Sequence, residues 1–137
     1  MARRGHHEQD GEGGGAQRLE GECRRRVEPA IGQGRIFYYD ATGGRWEEDD
    51  YQTTGSGGQP AKNSLKKRWH PGLTRDDALR VAVEALVDAA EDDVATGGPD
   101  PNRRIFPNAL AVTVSGAEDV PEDEIAAAVA AVLEARA

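Results

Sequence analysis

Between Arg75 and Asp93 runs RDDALRVAVEALVDAAEDD, and its only regular polar pattern is one stripe: Asp77, Arg80, Glu84, Asp88 and Glu91 recur at spacings of three or four. Leu79, Val81, Val83, Leu86 and Val87, with many alanines, occupy the remaining faces. The spacing predicts a helix with one wet stripe, buried around much of its circumference. Such a helix needs neighbours on more than one flank, and therefore a layered fold. Thr74 with Asp77 three residues later makes a variant of the capping box, with Asp in place of Glu, and marks the start. The other end is unusual. A common stop is one glycine after the last turn, but DDVATGGPD places two acids, a threonine and a glycine pair before a proline. A carboxylate, Asp93, and a hydroxyl, Thr96, thus stand three residues apart on a turn that Gly97 and Gly98 would permit. On the residues alone, a plain helix terminus accounts for them.

The segments around this helix have their own signatures. RIFYYD is β-branched and aromatic, ATGG is turn chemistry, and RWEEDDYQTT resumes a polar strand, which predicts a hairpin of Arg35 to Asp40 and Arg45 to Thr53. The acids Glu47 to Asp50 suit a solvated strand face or edge better than a metal site. GSGGQP is a loop, and AKNSLKKRW reads as a short helix closed by HPG. Beyond the glycine turn, RRIF and NALAVTVSG read as strand, with Leu110, Val112 and Val114 alternating on one face. EDVPEDEIAAAVAAVLEARA then gives a helix with Pro121 and acids in its first turn, where the helix dipole favours negative charge. Two strands, two helices, a strand and a helix imply an α+β fold, with helices layered on a largely antiparallel sheet that lacks partners.

At 137 residues the chain suits one domain. Residues 1–33 hold few large apolar side chains, much glycine and a balance of acids and arginines, so they are expected to be disordered. The net charge of −8 therefore belongs to residues 34–137 and disfavours nonspecific attraction to nucleic acid or an anionic membrane. Cys23 is the single cysteine, which excludes an internal disulfide and requires no oxidising compartment. No run of about 18 apolar residues is present and no apolar stretch follows the N-terminal arginines, so a cytoplasmic location is the simplest expectation.

Several motifs fail on inspection. Lys62 follows Ala61 and no G-K-[ST] occurs, so the glycine-rich loop is no phosphate loop. The glycines around Gly32 and Gly55 miss the third position of a dinucleotide fingerprint. His6, His7, Cys23 and His70 lack zinc spacing. KKRW, Lys66 to Trp69, fits a surface helix with one packing tryptophan better than a nucleic-acid contact.

GRIFYYDATGGRWEEDDY, TGSGGQPAKNSLKKRW, ALRVAVEALVDAAEDDVATGGPD and RRIFPNALAVTVSGAEDVP, in this order and spacing, resemble the C-terminal half of a bacterial-type 20S proteasome β subunit. The resemblance covers residues 34–137. It implies a partial αββα sandwich of the N-terminal-nucleophile hydrolase type, with antiparallel sheets between helical layers. It also implies a threonine-type endopeptidase: an N-terminal threonine, freed by autolysis, attacks the peptide carbonyl while its own amine and a lysine manage protons. Ser56, Asp93 and Thr96 stand where that family places a supporting network around the threonine. No cofactor is implied. The implied partners are proteasome α and β subunits in stacked seven-membered rings, an ATPase ring and protein substrates.

The family's first half, with the threonine and the lysine, has no counterpart in residues 1–33. Family autolysis falls between Gly and Thr, yet Thr42, Thr53, Thr54, Thr74, Thr96 and Thr113 follow Ala, Gln, Thr, Leu, Ala and Val. The chain alone is therefore expected to be inactive. The bias of residues 1–33 beside the sudden onset of family-like sequence points to a shifted reading frame or misplaced start. The alternative is a noncatalytic truncated module that binds proteasome rings or itself.

Overall fold

The structure, a computed structural model, describes residues 22–28 and 33–137. Its elements form an α+β arrangement. Strands β1 (Glu22–Glu28), β2 (Gln33–Tyr39) and β3 (Arg45–Glu48) make an antiparallel sheet in the order β1-β2-β3. Helices α1 (Gly58–Arg68) and α2 (Arg75–Asp92) follow, then a 3-10 turn at Pro101–Arg103, the antiparallel pair β4 (Leu110–Thr113) and β5 (Gly116–Asp119), and helix α3 (Glu122–Glu134). Among the described residues no helix is long and apolar enough to cross a membrane.

The β2–β3 hairpin forms as the turn chemistry requires. The Asp40 carboxylate accepts from the Thr42 and Gly44 backbone N–H groups at 3.0 and 2.7 Å, and Gly43 takes φ +87°, which favours glycine. Strand β3 stops at Glu48, short of the expected Thr53, and the chain bends through Asp49 and Asp50. Glu47 is exposed on this edge and salt-bridged to Arg35 at 2.5 Å.

Three expectations need correction. Residues 22–28 are not disordered but pair along β2, from Glu22 opposite Tyr39 to Glu28 opposite Gln33. The edge of β2 offers backbone donors and acceptors to any segment, whatever its side chains. The rest of the segment expected to be disordered, apart from Gln33, lies outside the described residues, as do His6 and His7. RRIF is not a continuous strand: Asp100 caps the 3-10 turn, Arg104 sits at φ 55°, and only an isolated bridge joins Asp100 to Ile105. Finally, NALAVTVSG is not one strand: a tight turn after Thr113 breaks it, and β5, over GAED, folds back on β4, although only its Gly116 lay within the expected strand. The face expected from Leu110, Val112 and Val114 is also wetter than the alternation suggests, since Leu110 is 52% exposed and Val114, in the turn after β4, 64%.

The core lies between helices. Thr74 caps α2, its hydroxyl oxygen accepting from the Asp77 N–H at 3.1 Å and donating to the Asp77 carboxylate at 2.8 Å. On one flank of α2, Val83 and Val87 meet Ile125, Val129 and Val132 of α3, with Leu79, Phe106 and Val120 against them. On another flank Ala85 and Ala89 meet Ala61 and Leu65 of α1. Alanine there lets the two helices approach closely.

The polar stripe of α2 is also not simply wet. Arg68, at the end of α1, reaches Glu84 at 2.8 Å, Asp88 at 3.0 Å and the buried Ser64 hydroxyl at 2.8 Å. Arg136, beyond α3, reaches Asp88 and, at 3.0 Å, Glu91. Two arginines distant in sequence therefore tie α1, α2 and the chain after α3 together. Burial pushes the Asp88 carboxyl up, but hydrogen bonds from Ser64 and Arg136 and the charges of both arginines more than offset it, leaving it below its ordinary 3.8. Hydrogen bonds from Thr42 and Gly44 lower Asp40 in the same direction. A lowered folded-state pKa stabilises the fold above the unfolded value, and that contribution is lost as pH falls through the lowered value. The urea midpoint should therefore fall as pH drops below about 4, and less steeply in Asp88→Asn. An equal pH dependence in parent and variant would contradict this assignment.

Candidate active site

Helix α2 ends where its sequence becomes acidic. Asp93 is the cap, extended at φ −123° and ψ 111°, and its N–H still reaches the Ala89 carbonyl at 2.9 Å. The Thr96 N–H then bonds the Asp93 carbonyl at 3.0 Å, closing a turn over residues 93–96. Within that turn the Thr96 hydroxyl donates to Asp93 Oδ2 at 2.6 Å, and the Ala95 N–H points to Oδ1 at 3.3 Å.

The third group comes from the loop before α1. Gly55 takes φ +90° and its carbonyl accepts from the Gly58 N–H at 3.0 Å, which turns the chain sharply at Ser56. The Ser56 hydroxyl donates to Asp93 Oδ2 at 2.5 Å across 37 residues of sequence. Ser56, Asp93 and Thr96, the three residues singled out from sequence, thus meet at one carboxylate oxygen. Ser56 is exposed, Asp93 and Thr96 are half-buried, and Val94 beside them stands fully exposed.

The chemistry follows from the direction of the hydrogen bonds. With both O–H groups donated to Asp93, each hydroxyl oxygen retains acceptor lone pairs next to a carboxylate. Such a cluster suits a hydrogen-bond donor, and an amine above all, whose orientation and protonation it can govern.

The glycines act differently from expectation. Gly97 does not have positive φ and an added β-carbon there would meet nothing within 4 Å, so the turn does not depend on its being glycine. Gly98 lies close to α2, where a β-carbon would stand 3.2 Å from that of Ala90. The conformational demand falls on Gly55. Sequence reasoning also missed Gly57, where an added β-carbon would stand 2.5 Å from Thr96 Oγ1. Only the neighbouring GSG run hinted at it.

Other candidates take structural places. Arg68 is engaged with acids of α2, and Trp69 packs on Tyr51 with ring centroids 5.9 Å apart. Lys62, Lys66 and Lys67 are exposed along α1. Among the described residues no group of three His, Cys, Asp or Glu side chains could hold a metal ion.

Comparison with known proteins finds one family over much of the chain. The proteasome subunit family matches residues 29–100, starting five residues before the boundary expected at 34. "Proteasome subunit beta" of Frankia alni is 48% identical over 106 residues, covering 77% of this chain and 39% of the relative. The subunit of the same description from Stackebrandtia nassauensis is 50% identical over 107 residues, covering 78% of this chain and 38% of the relative. The chain thus spans less than two-fifths of the length of these curated relatives. By the family match over more than half its residues and the identity to both relatives, it belongs to the proteasome subunit family, as a β subunit of the bacterial type.

Proposed function

We propose that residues 34–137 supply the supporting side of a threonine-type endopeptidase centre that degrades proteins within a 20S core particle. The observation that carries this reading is the convergence of Ser56 and Thr96 on Asp93 Oδ2 at 2.5 and 2.6 Å. In this role the cluster receives the amine of an N-terminal threonine. Asp93 provides the counter-charge, while Ser56 and Thr96 fix the carboxylate's orientation and offer acceptors to the amine. The threonine hydroxyl attacks the substrate carbonyl and passes its proton to that amine, which returns it to the leaving nitrogen.

No threonine within these 137 residues follows a glycine, so the nucleophile must come from sequence outside them. The β2–β3 hairpin and the helical layer would then form part of a larger αββα sandwich, assembled with α and β subunits in stacked rings and fed by an ATPase ring in the cytoplasm. Purified 137-residue chain should accordingly show no hydrolysis of a fluorogenic peptide. Activity abolished by a threonine-directed inhibitor would overturn this.

A second reading, a noncatalytic module that binds proteasome rings or itself, draws on exposed apolar side chains of the strands and the turn after β4: Trp46 at 50%, Leu110 at 52% and, in that turn, Val114 at 64%. Co-purification of the chain with intact rings, without any gain in peptide turnover on supplying the nucleophile half, would favour it.

A further inference from the structure

We infer that Gly57 is the positioning residue of the Asp93 cluster, and that the cluster requires the absence of a β-carbon at this point. Gly57 sits at φ −82° and ψ 8°, sterically allowed to residues with side chains, so its backbone gives no reason for glycine. It is the N-cap of α1, where Ser, Thr, Asp or Asn would satisfy an open helix N–H, yet α1 has no side-chain cap. The local preference for a capping side chain is therefore overridden by something else.

That something is space. A β-carbon on Gly57 would lie 2.5 Å from Thr96 Oγ1, 3.3 Å from Thr96 Cβ and 3.2 Å from Ala89 Cβ. Neither neighbour yields easily. Thr96 Oγ1 is held 2.6 Å from Asp93 Oδ2, its backbone is closed by the 93–96 turn, and Ala89 lies 2% exposed within α2. Relief must come by turning Thr96 away from Asp93 or by lifting the loop, which would carry the adjacent Ser56 off the same carboxylate. Either movement removes one of the two hydroxyls. Gly55, Gly57 and Gly97 thus differ in kind: the first serves conformation at φ +90°, the second clearance, and the third neither. Gly57 touches no reacting atom and acts only through Ser56 and Thr96. Its consequence for turnover rests on the proposed peptidase role, whereas the geometry can be tested without it.

The test compares Gly57→Ala, Thr96→Ala, their combination and Gly97→Ala in the full chain, by crystal structure and thermal melting. Gly57→Ala should break one hydroxyl contact to Asp93 and lower Tm by several degrees. Thr96→Ala and Gly97→Ala should each keep the Ser56–Asp93 bond. Adding Thr96→Ala to Gly57→Ala removes the 2.5 Å clash and should restore that bond with most of the lost Tm, a rescue that a general packing role would not give. If Gly57→Ala alone fails to fold, folding of the double variant supports the inference equally. Gly57→Ala with both hydroxyls still on Asp93, or a double variant no better than Gly57→Ala, overturns it.

Discussion

Asp93→Asn should lower peptide turnover about 10²-fold or more in a particle completed with the nucleophile-bearing half, while leaving assembly intact. The substitution keeps shape but removes a charge and changes hydrogen bonding. Asp93 Oδ2 accepts two hydroxyls, and Oδ1 faces the Ala95 N–H at 3.3 Å. An asparagine offers one acceptor oxygen and one donor nitrogen, so at least one of these groups would face a donor. The counter-charge to an incoming amine also disappears. The expected cost to stability is small, because Ser56 is exposed and its hydroxyl can turn to water. A large kinetic loss with a small loss of stability would separate a chemical role for Asp93 from that of an ordinary helix cap.

The largest effect on stability is expected from Val129→Asp. Val129 is fully buried at the seam where α3 meets Val83 and Val87 of α2. A carboxylate there would lose its hydration with no partner at hand, a penalty of several kcal/mol, comparable to the total stability of about 5–15 kcal/mol typical of a domain. Helix α3 should detach or the chain unfold, read as lost ellipticity at 222 nm and no cooperative melt. Val129→Ala, which only opens a cavity, should retain the fold with a loss of about 1–2 kcal/mol. Similar melting of both variants would contradict the placement of the core.

Local signals in the sequence transferred well to the structure. The α2 start at Thr74 and its two apolar flanks follow from residues within one or two helical turns, and the β2–β3 hairpin follows from ATGG between aromatic runs. What depends on distant neighbours did not transfer. The α2 acids became a salt-bridged seam through Arg68 and Arg136, which no helical periodicity relates to them. Strand β1 exists through its pairing with β2, and β5 through its pairing with β4, although GAED has no strand propensity of its own. At the site, Asp93 and Thr96 were visible as an odd helix end, but only the family resemblance linked them to Ser56. The glycine requirement was misplaced to 97 and 98 because crowding at Gly57 is set by a residue 39 positions away, Thr96.

The most direct measurement joins residues 34–137 to the N-terminal half of a proteasome β subunit, assembles the product with α subunits, and compares kcat for parent and Asp93→Asn on one fluorogenic peptide. The expected result is a competent parent and a variant that forms the same rings but turns over at about one per cent or less. Equal kcat in the two, or rings that form with no activity in either, would contradict a working centre built on Asp93.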